Sequence, residues 1–150
     1  MVPDAQQGAV LLTLLVDEVF RLNGVLLAEG DALVASAGLT AARWRVLGQL
    51  AKEPATVAQI ARRRGLRRQS VQESVDRLER DGLVTRVPND ADRRASLVLL
   101  SEQGQDVLTR IEPVRLEWAV KRSAPVSFEQ MQATLMFLQQ LRQTAPDQDG

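Results

Sequence analysis

Two groups of side chains in this sequence have the types and spacing to recognise a polyanion. Arg67, Arg68, Gln69, Ser70 and Gln72 fall together at the start of a helical apolar pattern. All of them can donate hydrogen bonds to phosphates or to the edges of bases. An arginine fork matches guanine and a glutamine carboxamide matches adenine, each through two parallel bonds. The second group, Asp92, Arg93 and Arg94, lies in a polar segment between two apolar runs, where core packing does not account for it. A guanidinium there fits a narrow, electronegative minor groove, and Asp92 can steer it by a bidentate bond. Thr56, at the start of a short helical pattern, caps a helix whose remaining N–H groups and positive end can hold a phosphate. Glu73 fits less easily: it can accept from cytosine, but pairing with Arg77 one turn on is the simpler expectation.

Composition removes most other chemistry. The 150 residues suit one domain, or one domain plus an arm, and 45% hydrophobic with 25% charged residues is ordinary for a globular chain. Cysteine and histidine are both absent, which excludes disulfides, thiol nucleophiles, the usual general base and the usual zinc ligands. With no glycine-rich phosphate loop and no carboxylate ligand loop, no enzyme, cofactor or metal site is expected. No apolar run is long enough to span a membrane and no leader pattern opens the chain, so the expectation is a cytoplasmic protein. A net charge of zero conceals an asymmetry. Thr40 to Ser101 carries thirteen Lys/Arg against seven Asp/Glu, while the two flanks hold six against twelve. Such segregation is the footprint of a polyanion partner.

The elements that must position these residues follow from periodicity and punctuation. Gly8 to Ala28 carries Val10, Leu11, Leu14, Leu15, Val19, Leu22, Val25 and Leu26 on a wide helical face. Gly30-Asp31 is only a weak break, so that helix can run on toward Ala35; the first six residues are expected to fray. Thr40 caps a helix over Ala41–Leu50, with Trp44, Val46, Leu47 and Leu50 as its stripe, and Glu53-Pro54 follows its end. A short helix from Val57 to about Arg63 is followed by Gly65. The next helix, Arg68 to Asp81, buries Val71, Val75 and Leu78 and stops at Gly82. The period then becomes two, giving strands over 83–87 and 95–100 around a long polar tip. Ser101 caps a helix to about Arg122 that Pro113 should kink or split, and Ser127 with Gln130 opens a last helix. Residues 146–150 read as a disordered tail.

Short helix, glycine turn, second helix and two-stranded hairpin is the layout of a winged helix-turn-helix. Its second helix enters the major groove and its hairpin tip reaches an adjacent minor groove. The residues also resemble the MarR-type transcription regulators. The likeness rests on Leu39-Thr40…Arg43-Trp44-Arg45-Val46-Leu47, Ile60-Ala61-Arg62-Arg63…Gly65-Leu66 and Arg68-Gln69-Ser70-Val71. It continues through Val75-Asp76-Arg77-Leu78-Glu79…Gly82-Leu83-Val84, Arg86-Val87-Pro88…Asp92-Arg93-Arg94-Ala95 and Val98-Leu99-Leu100-Ser101-Glu102…Gly104.

The fold class this implies is mostly α with a small β-hairpin wing. A winged helix-turn-helix core over 38–104 is flanked by dimerisation segments over 1–37 and 105–145. The terminal stripes carry more apolar surface than a small winged domain can cover, which agrees with a dimer. The resemblance implies a homodimer on double-stranded DNA at a near-palindromic operator, usually as a repressor. By position it assigns Arg68, Gln69, Ser70 and Gln72 to recognition-helix contacts, and Arg94, with Arg93 beside it, to the minor groove under the hold of Asp92. Arg67 stands where the family often has a capping serine, which weakens the helix start or makes Arg67 a phosphate contact. Many relatives release DNA when a small, often anionic aromatic ligand binds between dimer helices and winged domain, which would place Trp44 and Arg21 near such a pocket. Sensing of peroxide by cysteine or of zinc by His/Cys clusters is excluded. The alternative is a helical interaction module whose basic face meets an acidic protein. A single-strand RNA binder would need exposed aromatic platforms, and this chain has no tyrosine.

Overall fold

The structure, a computed structural model, describes residues 4–145. In chain order it contains α1 (Ala5–Val34), a 3₁₀ turn (Ala35–Ala37), α2 (Ala41–Leu50), α3 (Val57–Arg64) and α4 (Arg68–Arg80). There follow β1 (Val84–Val87), β2 (Leu97–Leu100), α5 (Glu102–Ser123) and α6 (Phe128–Gln143). This is the mostly helical chain with one small antiparallel hairpin that the sequence implies. The chain divides at Pro113 into two compact units. The tail expected to be disordered lies outside the described residues.

The first unit is built from capped helices around one apolar core. Helix α1 begins at Ala5, where the Asp4 carboxylate accepts from the Gln6 N–H; of the six residues expected to fray, 5 and 6 are helical and 1–3 lie outside the described residues. Gly30-Asp31 does not break the helix. Gly30 is buried where a Cβ would come within 2.9 Å of the Ala41 Cβ, and Asp31 accepts from the Ala41 N–H at 2.7 Å. The pair is thus the close contact of α1 with α2. Thr40 accepts from the Arg43 N–H, and Thr56 and Gln59 form a reciprocal capping box at α3. Gly65 and Gly82 end α3 and α4 at φ of +61° and +74°, a left-handed conformation that costs a residue with a Cβ. Leu47, Ile60, Val71, Val75 and Leu78 are fully buried between these helices. Each contributes about 1.5–3 kcal/mol of burial free energy.

The hairpin packs on the same core. Its register pairs Val84 with Leu100 and Val87 with Leu97. Ala55, ahead of α3, adds an isolated antiparallel bridge to Val98, through bonds of 3.2 and 2.9 Å. Helix α5 is clamped to the hairpin's base. The Ser101 hydroxyl accepts from the Gly104 N–H and donates to the Gly82 carbonyl, while the Ser101 N–H donates to the Leu83 carbonyl.

Helix α5 continues past Pro113 to Ser123, so of the expected kink or split the split does not occur. Ser127 and Gln130 form the anticipated capping box on α6. Phe128, Leu135 and Met136 are exposed there, as are Val10, Leu11, Leu14, Phe20 and Leu22 on α1 of the first unit. Among the described residues no helix is long and apolar enough to cross a membrane.

Candidate nucleic-acid interface

Helix α4 presents one face to the core and the other to solvent. Val71, Val75 and Leu78 are buried, while Arg67, Arg68, Gln69, Ser70 and Gln72 are all exposed along the first turns. Arg67 holds the N-cap position without a side-chain hydrogen bond to the helix, as expected where a capping serine is missing. Both glutamines donate to carboxylates one turn on, Gln72 to Asp76 at 2.8 Å and Gln69 to Glu73 at 3.5 Å. The expected Glu73–Arg77 pair is not made. Arg77 instead reaches Asp81 at 3.0 Å, where Arg43 also approaches to 3.6 Å, because Asp81 just past the helix end gathers two cations.

Thr56 caps α3, as expected. It is 7% exposed, and its hydroxyl accepts from the Gln59 N–H while the Gln59 carboxamide accepts from the Thr56 N–H. The side chain is committed to starting α3. At the other end of α3, Arg45 donates to the Arg64 carbonyl at 2.8 Å. Burial, and then the nearby Arg45, lowers the pKa of the Arg64 guanidinium.

The wing tip carries Arg93 and Arg94 in the open, in the same unit as α4. Asp92 does not steer a guanidinium as expected. Its carboxylate accepts from the Arg94 backbone N–H at 3.0 Å, and Asn89 likewise accepts from the Ala91 N–H at 3.2 Å. A short carboxylate two residues before an N–H closes a local turn more readily than it spans to a long side chain. Asp92 therefore shapes the tip, and Arg93 lines a shallow cleft of about 300 Å³ with Pro88, Asn89, Asp90 and Ser96.

Arg86, on β1, is the residue whose role sequence reasoning missed. Its guanidinium spans Asp76 at 2.5 Å and Glu79 at 2.7 Å, tying the wing's base to α4. The only signal in the sequence was two acids three residues apart on the helix preceding a strand arginine. Its hydrogen bond, followed by that of Gln72, holds the Asp76 carboxyl below the usual carboxylate range. Most acids of this surface are thus occupied internally, with Glu53 on Arg63 at 2.7 Å. Among the described residues, Arg67, Arg68, Arg93 and Arg94 have no carboxylate within salt-bridge distance.

Trp44 is half-buried against the core cluster. Arg21 is exposed on α1.

A model of the MarR family matches residues 37–95, from the last turn before α2 through the wing tip. The uncharacterised protein Rv2011c of Mycobacterium tuberculosis is 39% identical over 97 residues, covering 65% of this chain and 68% of its own. The chain belongs to the MarR family. A second relative, the transcriptional activatory protein BadR of Rhodopseudomonas palustris, is 33% identical over 93 residues, 59% of this chain and 53% of BadR. The fold agrees over nearly the whole length with Sco5413, a MarR family transcriptional regulator from Streptomyces coelicolor. The TM-score is 0.75 at 28% identity, over 94% of this chain and 99% of that one. MarR-family proteins are transcription regulators rather than enzymes, which agrees with the chemistry that composition leaves open. The matched segment contains α2 to α4, β1 and the loop with Arg93 and Arg94, so family membership and the uncovered cations meet in one stretch of chain.

Proposed function

We propose that this chain is a homodimeric, sequence-specific regulator that binds a near-palindromic double-stranded operator and represses the gene behind it. One observation carries the DNA reading. Arg67, Arg68, Gln69 and Gln72 line the exposed start of α4, in the same unit as a hairpin tipped by exposed Arg93 and Arg94. A helix offering arginine and glutamine suits the major groove, and an arginine-tipped wing suits the minor groove beside it. The exposed apolar residues of α1 and α6 support a second copy as their cover, since monomers rarely expose apolar patches beyond a few hundred Å². A two-fold pair of such modules calls for an inverted repeat.

Selection from a random duplex library at physiological salt, followed by salt titration of the best site, tests this. The expected result is an inverted repeat with half-sites about one helical turn apart and affinity falling steeply with salt. Motif-free binding that ignores salt would overturn it and favour a module for an acidic protein. Sedimentation of the free protein reads the dimer, and a reporter behind the selected site reads the sign of regulation. Repression is the expected sign, although the relative BadR is named an activator. The proposed effector is a small anionic aromatic compound near Trp44. Fluorescence titration with salicylate-like compounds in a Trp118→Phe background should saturate and lower DNA affinity. A flat response across the series would count against the effector site.

A further inference from the structure

Asp76 is joined to two parts of the interface at once. The same carboxylate oxygen accepts from the Gln72 carboxamide nitrogen at 2.8 Å and from the Arg86 guanidinium at 2.5 Å, and Glu79 takes the other arm of Arg86 at 2.7 Å. Gln72 is fully on the exposed side of α4, and Arg86 is a partly buried residue of the wing's first strand.

This arrangement removes an ambiguity that a glutamine ordinarily has. A free carboxamide flips between two orientations, exchanging donor for acceptor. An ionised carboxylate only accepts, so the nitrogen of Gln72 must face Asp76; the opposite orientation would set oxygen against oxygen. The hydrogen bonds from Arg86 and then Gln72 hold the Asp76 carboxyl below the usual carboxylate range, which favours its ionised, accepting form. With one N–H spent on Asp76, the planar amide retains one N–H and its carbonyl oxygen. That donor–acceptor pair is what the N7 and N6 positions of adenine require, and guanine offers two acceptors in the same place.

We infer that Asp76 is a specificity-positioning residue: held by Arg86 from the wing, it fixes the Gln72 carboxamide in the orientation that reads adenine. Base reading in the major groove and placement of the wing then share one carboxylate. This rests on the DNA-binding reading above. Gln69, at 3.5 Å from Glu73, lacks both the short bond and the anchoring cation, so its amide is not fixed in the same way.

The test is a set of motif selections with the full chain: wild type, Gln72→Ala, Asp76→Asn and the double variant. Wild type should prefer adenine roughly tenfold at one position of each half-site, and Gln72→Ala should flatten that position. Asp76→Asn should reduce the preference at that same position by at least about twofold, because a released amide has two orientations of which one is productive. The double variant should match Gln72→Ala there. Arg86→Gln, which leaves the carboxylate but removes its anchor, should flatten the same position to a lesser degree. The Asp76 side chain is 47% exposed, so the Asn variant should keep a cooperative melt. A motif for Asp76→Asn that is unchanged in shape while affinity moves equally for all sequences would overturn the inference and leave Asp76 as a local charge only. A change at a different position, or no change with Gln72→Ala, would also overturn it. A wild-type protein selecting no motif would instead remove the DNA-binding reading on which it depends.

Discussion

Gly104→Ala is the sharpest test of how the wing is anchored. A Cβ on Gly104 would stand 2.2 Å from the Leu83 carbonyl oxygen and 2.8 Å from the Leu100 Cδ1. Relief by more than an ångström is needed on the oxygen side, and the obstacle is backbone in the turn leading into β1. Overpacking of this kind costs about 1–3 kcal/mol. Moving α5 away also stretches two clamps, the Ser101 N–H to Leu83 carbonyl bond at 3.1 Å and the Ser101 hydroxyl to Gly82 carbonyl bond at 2.7 Å. Their loss adds about 1 kcal/mol each. Alanine returns about 1 kcal/mol through its better helix propensity. The net is a destabilisation of about 2–4 kcal/mol. Urea unfolding followed by circular dichroism, at matched protein concentration because the stability of the proposed dimer would depend on it, should show the midpoint falling by about 1–2 M at an unchanged slope. An alanine variant unfolding within about 0.5 kcal/mol of wild type would refute the reasoning, since surface changes without a steric consequence fall in that range.

Three further outcomes follow from the same geometry. Arg94→Ala should weaken DNA binding and lower the salt slope by about one unit without lowering the melting temperature, since the tip supports little core; an early melt with full affinity would contradict the wing assignment. Arg67→Ser should raise stability by about 0.5–1 kcal/mol by supplying the missing cap, yet reduce affinity by removing a cation; gains in both would show that Arg67 does not meet phosphate. Asp31→Ala should cost about 1–2 kcal/mol in chemical denaturation through the lost 2.7 Å bond to the Ala41 N–H, and a neutral result would mean water replaces it.

Much of the winged unit was legible because its boundaries are written in local chemistry. Thr40 and Thr56 cap where they stand in sequence, and Gly65 and Gly82 occupy left-handed positions that side chains avoid. Part of what escaped depends on partners distant in sequence. Gly30-Asp31 reads as a weak break until Ala41 is placed beside it, after which the missing side chain permits the approach and the carboxylate caps the neighbour. The burial of the Thr56 side chain is not a local property and does not follow from its cap position alone. Pro113 leaves a kink or a split open in the sequence, and of the two the split does not occur, because one absent donor does not end a helix of 22 residues. At the site, the exposure of Arg67 to Gln72 follows from the period of Val71, Val75 and Leu78. The link from Arg86 to Asp76 and Glu79 required the strand to be laid against the helix first. Asp92 is a local exception: its carboxylate takes the backbone N–H two residues on rather than a long side chain.

The bridge between Ala55 and Val98 gives the wing a fulcrum. Both peptide groups of Val98 are pinned, at 3.2 and 2.9 Å, to the residue just before the Thr56 cap of α3. Arg94 lies four residues farther out, in the turn beyond β2, a reach of at most about 13 Å. A tilt of about 5° at the pivot therefore swings the tip by up to about 1 Å, against the roughly 0.5 Å spread of hydrogen-bond lengths. Leverage of that ratio makes the start of α3 the place where a small push becomes a missed contact at the far end of the hairpin.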